Sequence, residues 1–226
     1  MEKEIIKRSL TAVKSAFDAF KKNYREGTPC GKLFDNFTVT LKSLLGDYQI
    51  KYDFLCGKDT VNIDGVTDRN YLPKKGDAII IDASVKTGGL WCDVARTFFV
   101  GKASERQKKD YDLVLSSILR GEKVLRAEIC AKEVYTAVNS IYTERGEKLV
   151  HHAGHGIGAK PLIAPQFLSG KEEKLKVDNF YTLESGIYNG SGIRLENDYF
   201  ITESGCEKLF DYPLDIENFI IGDGKQ

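Results

Sequence analysis

Apolar residues recur at helical spacing near the start of the chain: Ile5, Ile6, Leu10, Val13, Ala16, Phe17 and Phe20. That period predicts an amphipathic helix over residues 3–22. Thr28-Pro29 interrupts it, and a second helix is predicted from Lys32 to Leu45. The period then shortens to two. Tyr48 to Leu55 reads as a strand, followed by a turn-rich loop from Gly57 to Gly76 and a hairpin. Ile79–Ile81 and Thr97–Val100 form the arms of that hairpin, with Lys86-Thr87-Gly88-Gly89 between them. The same order follows again. Ser104 is an N-cap candidate for a helix from Glu105 to about Arg126, and another helix spans Ala131 to Arg145 and stops at Gly146. The irregular stretch HHAGHGIG leads to a second hairpin over residues 180–201. Helix, helix, strand, hairpin, and then helix, helix, loop, hairpin, predict an α+β chain of two similar halves.

Both hairpins carry an unusual burden of charge. If the first is centred between Thr87 and Gly88, Asp82 and Asp93 face each other across the ladder. If the second is centred on Gly190, Glu184 and Glu196 do the same. Like charges at that separation, roughly 4.5–5.5 Å, repel. Four carboxylates in one interior require compensation, and two divalent cations would balance them. All three histidines, His151, His152 and His155, fall within five residues, followed by the small residues Gly156 and Gly158. An oxygen-rich set with an imidazole suits Mn²⁺, Co²⁺ or Fe²⁺ better than a structural Zn²⁺ site. Arg194 shares a strand face with Glu196 and could orient a ligating carboxylate. Cys92 points to the opposite face from Asp93 and is expected to pack in the core.

Composition narrows the setting. The 226 residues are 42% hydrophobic, and 33 basic residues balance 33 acidic ones. That argues against nucleic acid or an anionic membrane as the main partner. Five scattered cysteines without a Cys-x-x-Cys pair fit a reducing compartment. With no signal-like N-terminus and no long apolar run, a cytoplasmic protein is expected.

Taken together, Asp82, Asp93, HAGHGIG at 152–158, ESGIY at 184–188 and GIRLEN at 192–197 resemble the pita-bread metallopeptidases. That family includes methionine aminopeptidases, aminopeptidase P and prolidase. The resemblance implies the pita-bread (creatinase/aminopeptidase) fold, an antiparallel sheet covered by helices with pseudo-twofold halves. A single catalytic domain over residues 1–226, without the N-terminal domain of the larger members, is expected. The resemblance also implies two divalent ions: Asp82 on one, Asp93 and Glu196 bridging, His155 and Glu184 on the other. Glu184 would then act as general base and acid, and His151 would contact substrate. His152 is displaced by one from that position. The Arg-x-Glu at Arg194 and Glu196 is closer to the proline-cleaving branch than to methionine aminopeptidases.

The resemblance has departures. Leu162 stands where the family has a second substrate-contacting histidine, and Asp64 stands about where the loop before the first hairpin carries another. Ser185 replaces the proline of Glu-Pro-Gly. The implied activity is removal of an N-terminal residue before proline from a peptide with a free N-terminus. Methionine aminopeptidase activity, and a peptide- or protein-binding module on the same fold, are the competing implications. A homodimer is compatible with either.

Overall fold

The computed structural model describes residues 1–222. Helix α1 spans Glu2–Asn23 and α2 spans Cys30–Leu45. Strands β1 (Gln49–Cys56), β2 (Ala78–Thr87) and β3 (Leu90–Val100) complete the first half. Helices α3 (Glu105–Glu122) and α4 (Ala131–Thr143) open the second. Strands β4 (His155–Ile157), β5 (Ile163–Gln166), β6 (Phe180–Ile187) and β7 (Ile193–Ile201) follow, then β8 (Cys206–Lys208) and β9 (Ile220–Ile221). The strands make one sheet in the order β1-β2-β3-β7-β6-β4-β5. Counted outward from the middle, β3, β2, β1 mirror β7, β6, β4. The repeated element order is therefore a repeated structure, with β5, β8 and β9 as additions.

Alternation sorts each strand between two faces. Ile79, Ile81, Ala83 and Val85 of β2, and Cys92, Val94 and Phe98 of β3, enter the main apolar core. Helices α1 and α2 cover that face of the first half, through Phe17, Phe20, Phe34 and Phe37. In the second half, α3 packs on β6 and β7. There Ser117 and the Tyr142 hydroxyl both hydrogen-bond Ser185, at 2.6 Å each. Ser185 thus points into the helix layer, away from its neighbour Glu184. No described helix is long and apolar enough to cross a membrane.

The helices agree with the sequence expectation to within two residues at each end, except at the C-terminus of α3. α3 ends at Glu122, not Arg126, because residues 128–131 pair with another segment. The Glu128 N–H donates to Leu175, and Ala131 N–H to Glu173. α4 ends at Thr143, where Gly146 turns away at φ 71°. Ser104 caps α3 as expected, in a reciprocal box with Gln107.

The first hairpin corrects the expected register. Thr87 pairs with Leu90, so the turn is Gly88-Gly89, with φ of 55° and 86°. Two successive positive φ values are what a type I′ turn needs, and two glycines meet that need where Thr87-Gly88 would not. Asp93 therefore pairs with Ser84, and Asp82 with Ala95. The two aspartates share a face but stand diagonally, not opposite each other. The second hairpin keeps its expected register, with Glu184 opposite Glu196.

Side chains stitch the two halves where β3 meets β7. Ala95 pairs with Glu196. Beside that pair, the Arg194 N–H donates to the Thr97 hydroxyl, which donates back to the Arg194 carbonyl, at 2.8 and 3.0 Å. Fully buried Arg96 donates to the carbonyls of Ala95 and Glu196 and to Asn197 Oδ1. Its guanidinium sits 4.8 Å from the Phe210 ring centre.

Gly154, at φ 133°, lets the histidine loop pass against β6, where any β-carbon would overlap the Thr182 carbonyl. Gly154→Ala is expected to cost about 2–4 kcal/mol in denaturant unfolding, combining backbone strain with overlap. Gly170→Ala, at a positive φ with open space around it, should cost less.

Candidate metal and catalytic site

One cross-sheet row defines the site. Asp53 pairs with Asp82, Asp82 with Ala95, Ala95 with Glu196, and Glu196 with Glu184. Residues in register share a face, so four carboxylates line up across β1, β2, β7 and β6, with the small Ala95 at the centre. The adjoining row runs Lys51, Ser84, Asp93. His155, on β4, reaches in from beyond β6. Its Nε2 lies 3.8 Å from Asp93 Oδ2 and 3.9 Å from Glu196 Oε1. These residues line a cavity of about 300 Å³ together with Asp64, His151, His152 and Arg194.

The ligand atoms form two groups, each within 4.8 Å: Asp93, His155 and Glu196, and Glu184, His151 and His152. His155 Nδ1 is 3.0 Å from the Gly156 carbonyl. A carbonyl only accepts, so Nδ1 carries the hydrogen and Nε2 presents its lone pair to the carboxylates. Three buried atoms here have no hydrogen-bond partner: Asp93 Oδ1, Glu196 Oε1 and His152 Nδ1. Unpaired buried carboxylate oxygens are costly, and a divalent cation at the Asp93–His155–Glu196 group would satisfy Asp93 Oδ1 and Glu196 Oε1. The donor set thus fits metal ions.

Arg194 is the main internal counterion. Its Nη1 donates to Asp82 at 2.6 Å and to Asp53 at 2.9 Å, and its Nε lies 3.6 Å from Glu184. Nε also donates to the Tyr188 hydroxyl, and Nη2 to the Ile63 carbonyl. Arg194 therefore does hold a candidate ligand, but chiefly Asp82, with Glu196 beyond its hydrogen bonds. Asp53 accepts Arg194 on one oxygen and the Gly65 N–H on the other, tying the loop at residues 63–65 to the site.

Burial and mutual repulsion set the charge states. Burial pushes Asp82 up to about 6, against the opposing pull of Arg194. Burial, then Asp82 and Asp198, push Asp93 well above the carboxylate range. Burial, then Asp93 and Glu184, do the same to Glu196. Glu184 differs: burial acts to raise it, but His151, Arg194 and the other two imidazoles outweigh that and hold it low. Burial lowers His152 to about 4 and also lowers His155.

The structure gathers most of the sequence candidates. Asp82, Asp93, His151, His155, Glu184, Arg194, Glu196 and Asp64 all line the cavity. Leu162 is 46% exposed and is not among the lining residues. His152, set aside on spacing, has its Nδ1 only 3.3 Å from Glu184 Oε2. Asp53 and Tyr188 went unassigned. Tyr188 lay within ESGIY; Asp53 had only its two-residue offset from Lys51 and Leu55 as a signal, and the partner strand's register was hidden.

A curled antiparallel sheet with outer helices and an inner carboxylate–imidazole cluster is the pita-bread fold. The model for metallopeptidase family M24 matches residues 4–203. The chain belongs to that family. It is 31% identical over 140 residues to the Xaa-Pro dipeptidase of Pyrococcus furiosus, covering 60% of this chain and 40% of that one. It is 27% identical over 147 residues to a putative dipeptidase of Bacillus subtilis, covering 63% of this chain and 40% of that one. The X-Pro aminopeptidase structure from Thermotoga maritima superposes with a TM-score of 0.91 at 25% identity, covering 97% of this chain and 63% of that one. The prolidase structure from Pyrococcus furiosus gives 0.88 at 25%, covering 94% and 64%. The chain thus spans 40% of the length of these curated relatives.

The raised carboxylates give a pH dependence with a definite sign. Asp82 titrates from 3.8 unfolded to about 6 folded, so its stabilising protonation is complete below about 4 and lost by about pH 6–7. Asp93 and Glu196 act in the same direction, Glu184 in the opposite one. The metal-free protein should lose thermal stability between pH 5 and pH 8. Added Mn²⁺ should restore more at pH 8 than at pH 5, because protons compete with the ion. A calorimetric Tm series with and without Mn²⁺ checks this; a larger metal effect at pH 5 would contradict it.

Proposed function

We propose that this protein is a metal-dependent exopeptidase that releases the residue preceding proline. The observation carrying the proposal is the convergence of Asp93, His155, Glu196 and Glu184, with two unsatisfied buried carboxylate oxygens, in one cavity. Asp93, His155 and Glu196 would hold metal ions, with Glu184 and Asp82 on either side. When bound, two divalent ions would supply Lewis acidity, polarising the scissile carbonyl and acidifying a water. Mn²⁺, Co²⁺ or Fe²⁺ suits these donors best.

The remaining chemistry belongs to side chains of this chain. Glu184 is kept ionised by the surrounding cationic and imidazole groups, so it can take the proton of the attacking water and pass it to the leaving amine. Tyr188 lies within hydrogen-bond distance of both His151 Nε2, at 3.2 Å, and Arg194 Nε, at 2.9 Å. That chain fixes His151 beside Glu184. The Arg194–Asp82–Asp53 bridge holds β1, β2 and β7 at a set spacing around the cavity. Proline preference rests on the similarity to a protein named Xaa-Pro dipeptidase.

The test uses the 226-residue chain loaded with Mn²⁺ and offered Xaa-Pro dipeptides, longer Xaa-Pro peptides and Met-Ala-Ser. Release before proline supports the proposal. Cleavage of Met-Ala-Ser would replace it with methionine aminopeptidase activity, and metal binding without any cleavage would favour a binding module. Glu184→Gln should lower kcat by about 10²–10⁴-fold. The unfolding midpoint of this variant should fall modestly at neutral pH, since the favourable interaction of ionised Glu184 with Arg194 and the imidazoles is lost while the core is untouched. Full activity in Glu184→Gln would remove Glu184 from the proton transfer.

A further inference from the structure

Among the described residues, two permanent cations line the cavity, Arg194 and Lys51. Arg194 is engaged by Asp82, Asp53 and Glu184. The Lys51 side chain makes no ion pair or hydrogen bond with any described residue. It lies two positions from Asp53 on β1, hence on the same face, and its cross-strand partner is Ser84, whose own partner is Asp93. Lys51 and Asp93 are thus two strands apart in one row, about 10 Å between backbones at the usual strand spacing. A lysine stem covers more than half of that gap.

We propose that Lys51 is a specificity-determining residue that receives a substrate carboxylate. The cavity otherwise presents acids and imidazoles, and Arg194 is already engaged, so Lys51 is the permanent cation among the lining residues left available to an incoming anion. Two carboxylates of a small peptide could meet it: the terminal carboxylate of a dipeptide, or the side chain of an acidic first residue. The proposal rests on the peptidase reading for its substrate, but the contact itself is a binding event. The competing role for a lysine on β1, an edge strand, is to discourage edge-to-edge pairing. Such a role would leave substrate discrimination unmoved.

Two matched pairs separate the sources: Ala-Pro against Ala-Pro-amide, and Glu-Pro-amide against Gln-Pro-amide, assayed with the Mn²⁺-loaded 226-residue protein. The parent should prefer the carboxylate-bearing member of one pair by about tenfold or more in kcat/KM, carried by KM, as one charge-assisted contact allows. Preference in the first pair assigns the terminal carboxylate, and in the second the side chain. Lys51→Gln should bring that preference within about twofold while sparing the uncharged substrate, and Lys51→Arg should retain most of it. Absence of preference in the parent, or its survival in Lys51→Gln, overturns the proposal. If no peptide is cut, calorimetric binding of reduced-amide analogues of the same pairs decides. A Lys51-dependent preference there upholds the contact while the peptidase reading fails, and binding without preference, or no binding, overturns the contact as well.

Discussion

Mutual repulsion within one row of carboxylates governs this structure. Asp53, Asp82, Glu196 and Glu184 stand in register across the sheet, and Asp93 occupies the next row. Neighbouring charges about 5 Å apart repel by about 3 kcal/mol each at an effective dielectric near 20. A fold that places them together must offset that cost. Arg194 does part of it, bridging Asp53 and Asp82 at one end of the row. At the other end, the Asp93–His155–Glu196 group has no internal cation, and its lone pairs are left open. Arg194 neutralises the Asp53–Asp82 pair, and the Asp93–His155–Glu196 group, left without a cation, is where ions are expected.

The scaffold holds the row by keeping the opposite face apolar. Alternation sends Ile81, Ala83, Cys92 and Val94 into the helix layer while Asp82, Ser84, Asp93 and Ala95 face the cavity. Burial of that apolar face stabilises the fold enough to tolerate the strained polar one. Where the halves meet, polar side chains take over from a regular ladder. Thr97 clasps the backbone of Arg194, and Arg96 clasps that of Glu196. The two residues of the Arg-x-Glu motif are therefore fixed at the backbone by neighbours from the other half. Ala95 between them leaves the room that a larger side chain would fill.

Much of this was legible in the sequence, and the failures have physical causes. Helical period, Pro29, Ser104 and Gly146 marked the helices closely. The repeated element order became the mirrored strand order. Turn chemistry set the limit for the first hairpin. Glycine at 88 and 89 puts the centre one residue later, and that shift sets Ala95 rather than Asp93 opposite Asp82. The carboxylate that does pair with Asp82, Asp53, lies on the other side of β2, on a strand whose register depends on tertiary packing. Residues 155–157 fall in the stretch expected to be irregular, and residues 163–166 carry no sequence expectation, because strands of three and four residues have little period. His152 was set aside on spacing alone, while the loop around Gly154 turns its ring toward Glu184.

The central claim is that these opposed acids converge to hold divalent ions. Equilibrium dialysis of the purified chain against Mn²⁺ at pH 7.5, followed by elemental analysis, tests it most directly. The account gives two ions per chain, with binding lost or reduced to weak adsorption in an Asp93→Asn, Glu196→Gln double variant that remains folded. A parent chain that retains no Mn²⁺, or a double variant that retains as much as the parent, would contradict it.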